Sequence, residues 1–396
     1  MKLTAIRCLL IVLVLALALP LAACRDASDD PQKENLETAP ITERPGTDEK
    51  PPLVYPEDTD TRPAESIPFD TTPADSDDVP PEPVEIPTLT SQSGTYYDYG
   101  NGIIRVDNHA FEEYGYVDSA ATSYANLINL TSEALYGDTQ VYCIALPTAI
   151  GIVLPDDIRA IFPRFEDQGV ATDKIYAKIS DAVKKVNCYD NLMAHRDEYL
   201  YFRTDFHWNG TAAYYAYESF CKAKGIKPYT LSERVEVQFD GFLGALYNNS
   251  CNQDPILAEE PDIVYAYRPY SVSATMKYTD WNGVVHDWNI IYDVSSWTPS
   301  SRYSTFAGGD SPFAEFTNPE VTDGSVCIIV KESYGNALLP YLVDHYSKIY
   351  EIDYRYWDGN LIDFARQCGA DDLIFANNLS MIRSQYLINM MSEIIG

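Results

Sequence analysis

Over residues 325–380 the chain alternates two patterns with little between them: SVCIIVKES, GNALLPYLVDHY, KIYEIDYRYW, NLIDFARQCG and DDLIFANNLS. The first, third and fifth are short apolar runs of the kind that form buried strands. The second and fourth place apolar residues at helical spacing, and Gly369 closes the fourth. A strand-helix-strand-helix-strand order this dense predicts a parallel sheet with helices on its faces, an α/β fold. Upstream, GIIRV and TQVYCIALP read as strands with a helix over 119–135 between them, and further helices are expected over 172–184 and 210–224. In the last of these, Tyr214, Tyr217 and Cys221 fall at helical spacings with Tyr215 and Phe220 beside them, a set that reads as core rather than as a ligand platform. Within 229–323 the pattern shifts to strands and turns (DIVYAYRP, SATMKYTD, HDWNIIYD), which reads as a β-rich insertion on the α/β core.

The other end of the chain is an address. Lys2 and Arg7 precede an apolar run followed by Pro20 and small residues, the form of a secretory signal peptide, and the run is short for spanning the ~30 Å of a bilayer core. Leu21-Ala22-Ala23-Cys24 resembles a bacterial lipobox, whose Cys is lipidated, so residues 1–23 are expected to be removed and Cys24 to anchor the chain to the membrane. Thirteen prolines and an excess of acidic residues follow in 25–87, too little apolar surface to offset chain entropy; 24–93 therefore reads as a disordered, self-repelling tether and 94–396 as the folded domain. A net charge of −31 argues against nucleic acid as a partner, since phosphate binding relies on Lys and Arg, and against steering by anionic membrane surfaces. Six cysteines remain beyond Cys24 and no spacing selects a pairing; Cys143 and Cys327, inside strand-like runs, read as buried thiols. No CxxC, HExxH or Cys/His cluster suggests a metal, and no cofactor motif is present.

In an open parallel sheet ligands gather at the carboxyl ends of strands. Ser333 follows VCIIVKE at such an end and precedes Tyr334, Gly335 and Asn336, where the amides of a helix start favour a developing oxyanion; a plain N-cap serine would look the same. In TDFHWNG, Asp205 and His207 are two residues apart, so an extended loop sends both side chains to one side, with Trp208 at the entrance of the following helix. The carboxylate could then fix the imidazole tautomer while the other ring nitrogen takes the proton of Ser333. Among the remaining histidines, His345 is explained by a helix terminus, His195 by a solvated face, and His109 and His286 by polar loops. Gly309-Asp310-Ser311 spells the GDS of many esterases, yet no apolar strand leads into it, and Ser333 is the preferred nucleophile.

The segments YLYFRTDFHWNGTAAYYAY, FDGFLGALYNN, STFAGGDSPF and KESYGNALLPYLVDHYSKIYEIDYRYW, in this order, resemble the DHHW family of bacterial exported proteins, itself similar to the SGNH-hydrolase-like domains of alginate O-acetyltransferases. The resemblance implies a three-layer SGNH-hydrolase-like fold with circularly permuted motif order and a triad of Asp205, His207 and Ser333. Phe206 stands where the family name requires a His. Two further strand ends offer Arg355 for a substrate oxygen and Asn377 or Asn378 as an oxyanion donor; a surface ion pair and a turn are the alternative readings.

Together these features lead to the expectation of an extracytoplasmic, membrane-tethered serine O-acyltransferase or esterase acting on a cell-surface polysaccharide. As a transferase it would take acyl groups from a partner such as an integral membrane acyltransferase. The alternative is a glycan-binding surface lipoprotein with a degenerate hydrolase fold, gripping sugars through its 31 Tyr and 5 Trp.

Overall fold

The computed structural model describes residues 94–395; the signal peptide, Cys24 and the acidic tether lie outside the described residues. The described chain opens with β1 (Tyr97–Asp98), β2 (Ile103–Val106) and β3 (His109–Glu112), a small antiparallel sheet. Helix α1 (Asp118–Ala134) then buries a stripe of Ala121, Tyr124, Ala125 and Ile128 against the domain core and leads into β4 (Gln140–Leu146), whose side chains are buried on both faces.

Helix α2 covers Gln168–Tyr176, not 172–184. The Asp167 carboxylate caps it by accepting from the Val170 amide, and at the far end the Tyr176 hydroxyl donates to the Val186 carbonyl and accepts from the Ala145 amide, drawing the chain out of the helix. Lys184–Lys185 form β5, a short edge strand. Helix α3 (Gly210–Lys224) ends at Gly225 in the left-handed conformation, and its tyrosines 214, 215 and 217, with Phe220 and Cys221, are buried.

Strands β6 (Glu236–Phe242) and β7 (Asp262–Tyr267) pair with each other alone. Strands β8 (Thr275–Thr279), β9 (Val285–Trp288) and β10 (Phe313–Thr317) join the main sheet, as do β11 (Val326–Lys331), β12 (Lys348–Asp353) and β13 (Asp372–Asn378). Helix α4 (Leu361–Cys368), closed by a left-handed Gly369, connects β12 to β13, and α5 (Gln385–Ile395) ends the described chain. The sheet order is β5-β4-β13-β11-β12-β10-β8-β9, with the first five strands parallel and the rest antiparallel. The expected parallel α/β core is present, and three strands of the 229–323 segment extend it into a mixed sheet.

Register decides what meets at the sheet's edge. Lys331 lies beside Asp353, Phe313 beside Ile352, and Thr279 beside Phe313. The residues just after β11, β12 and β8, and just before β10, therefore share one rim, the carboxyl end of the parallel strands.

All six cysteines of the described residues are free, Cys143 and Cys327 buried among them. No helix of the described residues is long and apolar enough to cross a membrane. Three histidine expectations are corrected. His109 is fully buried in β3, stacked on Phe111, and burial holds its pKa well below the ordinary value. His286 lies in β9 and pairs with Asp280 at 2.9 Å. His345 is hydrogen-bonded to the Tyr217 hydroxyl at 2.7 Å, and burial pushes its pKa down to about 4, so it is neutral and does not act as a cation at a helix end.

Candidate active site

The loop that carries Asp205 and His207 is fixed before it reaches the rim. The buried carboxylate of Asp262, at the start of β7, accepts from the Arg203 amide at 2.9 Å and the Thr204 amide at 2.8 Å. On the far side, the Asn209 side chain accepts from the Tyr265 amide and donates to the Ile263 carbonyl. Gly210 is required here, because a Cβ would lie 2.3 Å from the Tyr265 carbonyl oxygen.

Within that loop the Asp205 carboxylate accepts from His207 twice, from its amide at 3.0 Å and from Nδ1 at 2.5 Å, and from the Ala245 amide at 2.6 Å. Burial raises the Asp205 pKa, but the imidazole and the two backbone donors outweigh it and hold the pKa below the ordinary 3.8. Burial likewise lowers that of His207, and the Asp205 carboxylate, with Asp310 and Glu332 farther off, overcomes it, so His207 stands above 6.5. Since Nδ1 faces a carboxylate, it carries the proton, and Nε2 of the neutral ring is an acceptor. Nε2 lies 2.7 Å from Ser333 Oγ. Asp205, His207 and Ser333 are thus in one hydrogen-bonded line. His207 also stacks face to face on Tyr303, ring centroids 4.0 Å apart, and the Tyr303 hydroxyl donates to the Ser333 carbonyl at 3.0 Å.

Ser333 opens a 3₁₀ turn at the end of β11. Glu332, fully buried, shapes the turn: its carboxylate accepts from the Tyr334 amide and from the Asn378 amide, both at 2.9 Å, joining the ends of β11 and β13. Burial raises its pKa, and those two amides offset part of the effect. Gly335 packs the turn against Lys331, whose Cβ a side chain at 335 would meet at 2.4 Å.

The remaining candidates divide. The Gly335 amide donates to the Glu332 carbonyl at 2.8 Å and is engaged in the turn rather than aimed at a ligand. The Asn336 amide nitrogen donates to Asp310 at 3.0 Å. Trp208 is fully buried and donates to the Tyr334 carbonyl at 3.0 Å, so it supports the turn that carries Ser333. Arg355 is occupied by Asp353 at 2.6 Å and Asp310 at 2.8 Å, a buried ion-pair set rather than a surface one. Asn377 faces the core, where its Oδ1 accepts from Tyr124, while Asn378 caps the next helical turn by accepting from the Met381 amide. Adjacent strand residues point to opposite faces, and it is the Asn378 backbone amide that is tied to the Glu332 carboxylate beside Ser333. Phe206 packs against the small apolar cluster of Ile103, Ala110, Leu246, Cys251 and Leu257, and its carbonyl accepts from the Tyr334 hydroxyl. Its ring is not part of the hydrogen-bonded line.

Sequence reasoning missed Tyr303, Gly244, Glu332 and Asp310. Only Asp310 carried a signal, the GDS tripeptide, which was weighed for its serine; the Ser311 hydroxyl is buried and without a partner. No group of three or more His, Cys, Asp or Glu side chains among the described residues is disposed to hold a metal ion.

A serine at the carboxyl rim of a parallel sheet, met by an Asp-x-His loop from earlier in the chain, defines an SGNH-hydrolase-like domain. Residues 73–352 match the model of the DHHW protein family, and the chain belongs to that family. Among solved structures, a DHHW family protein from Eubacterium siraeum DSM 15702 is similar at 26% identity and a TM-score of 0.67, over 74% of this chain and 95% of that one. Bacillus cereus PatB1 with a sulfonyl adduct is similar in fold at 15% identity and a TM-score of 0.60, over 72% of this chain and 98% of that one. A second PatB1 structure matches over the same shares at 17% identity with the same TM-score. No curated protein matches the sequence.

Proposed function

We propose that this chain is an extracytoplasmic serine enzyme of acyl transfer, an O-acyltransferase or esterase acting on a cell-surface polysaccharide, tethered to the membrane through Cys24. The observation that carries the reading is the 2.7 Å approach of His207 Nε2 to Ser333 Oγ, with Nδ1 held by Asp205. Ser333 Oγ attacks the carbonyl carbon of an acyl ester while its proton passes to Nε2. His207 returns that proton to the departing alcohol oxygen, leaving acyl-Ser333. A sugar hydroxyl, or water, then gives its proton to Nε2 and takes the acyl group, restoring the serine. Asp205 keeps the ring in the required tautomer and stabilises the imidazolium. Asn378, beside the nucleophile turn, is the side-chain candidate for the oxyanion.

The polysaccharide substrate rests on the resemblance to alginate O-acetyltransferases, and the exported, lipidated state on the first 24 residues. A transferase outside the cell requires an acyl donor, for which an integral membrane acyltransferase is the fitting partner; an esterase needs only water. PatB1, whose fold is similar, was captured with a sulfonyl adduct, and a sulfonyl fluoride is accordingly the probe. Intact-mass analysis should record one adduct on the wild type and none on Ser333→Ala or His207→Ala. Equal labelling of the Ser333 variant would remove the serine from the mechanism. Glycan binding that survives loss of both residues, without ester turnover, would instead support a surface binding lipoprotein.

A further inference from the structure

Asp310 lies outside the Asp205–His207–Ser333 line, yet it joins two parts of the rim. Its Oδ1 accepts from the Asn336 side chain at 3.0 Å, three residues beyond Ser333, and its Oδ2 accepts from Arg355 at 2.8 Å. Arg355 is held in turn by Asp353, which also faces the buried Lys331 at 3.5 Å, and Lys331 pairs with Glu351 at 2.7 Å. The set links the ends of β11 and β12 to the segment before β10.

The backbone that delivers Asp310 is strained. Ala307, Gly308 and Gly309 are all left-handed, with φ of 51°, 75° and 84°. L-residues enter that region singly as a rule, and a run that includes an alanine persists only where its surroundings enforce it. Here the Ala307 amide is held by the Ile290 carbonyl at 2.9 Å, and side chains at 308 and 309 would run into the Trp288 indole and Ser304. Strain of this kind gathers at functional positions, and what it presents to the rim is the Asp310 carboxylate.

We propose that Asp310 is a positioning residue: anchored by Arg355, it holds the nucleophile turn through Asn336 and places a second fixed negative charge beside His207. The inference rests on the serine-enzyme reading. Three carboxylates bear on His207, those of Asp205, Asp310 and Glu332, together with the phenols of Tyr303 and Tyr334; the cations Arg355 and Lys331 sit behind Asp310. Burial disfavours the Asp310 anion, but Arg355 and Lys331 outweigh it and keep the group ionised throughout the working range. When His207 takes the serine proton, the Asp310 charge is already fixed on the same rim by Asn336 and Arg355.

The experiment is a titration of the His207 ring by nitrogen- and carbon-resolved NMR in wild type, Asp310→Asn and Asn336→Ala, with His207→Ala to assign the signal. Asp310→Asn should lower the His207 titration by about one pH unit, and the acidic limb of the ester-cleavage profile with it. Asn336→Ala removes the tether but no charge; it should reduce turnover several-fold and leave the titration in place. A folded Asp310→Asn variant that titrates like the wild type, or an Asn336→Ala variant with undiminished turnover, would overturn the proposal. Should Asp310→Asn not fold, the Asn336→Ala turnover and the titration of Arg355→Lys, which weakens the anchor, decide it. The ring titration needs no turnover, so a moved titration in a protein that takes no sulfonyl adduct on Ser333 would sink the serine-enzyme reading and leave the charge relationship standing.

Discussion

Asp205 and Gly244 are packed so closely that an added Cβ on the glycine would lie 2.2 Å from the carboxylate. Gly244 is not among the left-handed glycines, so what forbids a side chain there is the carboxylate and not the backbone angle. Gly244→Ala should therefore fold, lose about 1–3 kcal/mol in chemical denaturation, and lose turnover at least tenfold, because Asp205 must retreat from Nδ1. Retained activity with lowered stability would show that the carboxylate tolerates the displacement.

The acidic limb of activity should lie above pH 6.5, since the base must be neutral and His207 is held above its ordinary value. For stability the two partners act in opposite windows. The raised His207 contributes fully below pH 6.5, and that contribution fades as pH rises through its folded value; the lowered Asp205 contributes above 3.8 and fades as pH falls through its folded value. Denaturation midpoints of wild type and His207→Gln across pH 4 to 9 should converge at the alkaline end.

Tyr303 plays two parts that mutation can separate. Tyr303→Phe keeps the ring stacked on His207 and loses the donor to the Ser333 carbonyl, while Tyr303→Ala loses both. Turnover should fall about tenfold for the first, the worth of one hydrogen bond in positioning, and much further for the second. Equal losses would assign the whole effect to the hydroxyl.

Away from the rim, Arg234 and Asp344 form a buried pair at 2.7 Å, neither side chain reaching solvent, and Asp344 also accepts from the Tyr270 and Ser271 amides. Arg234→Met leaves the carboxylate uncompensated and should cost about 3–5 kcal/mol by urea titration. The His207 titration should be left in place.

Much of this architecture is readable from local pattern. VCIIV reads as a doubly covered strand and is one, and Gly225 and Gly369 mark where helices stop. Asp205 and His207 are legible as a pair because they stand two residues apart, although the loop is bent rather than extended and the Asp205 carboxylate reaches back to the His207 amide across the bend. What pattern could not supply came from elements meeting late. Helix α2 ends at Tyr176 because of contacts with Ala145 and Val186, and nothing near Tyr303 announces that its ring will face an imidazole. His345 looked like a cation at a helix end because its partner, Tyr217, lies on a helix far back in the chain. Arg355 reads as available although Asp353, two residues before it, takes it at 2.6 Å, and its second partner, Asp310, belongs to a loop between other strands.

His207 and Ser333 stand 126 positions apart, and the stretch between them contributes α3, six strands and the segment that carries Tyr303 and Asp310. The imidazole and the hydroxyl meet across all of those elements, so their contact reports that the intervening chain is in place. A proteolytic fragment ending before β11 keeps Asp205 and His207 but lacks Ser333.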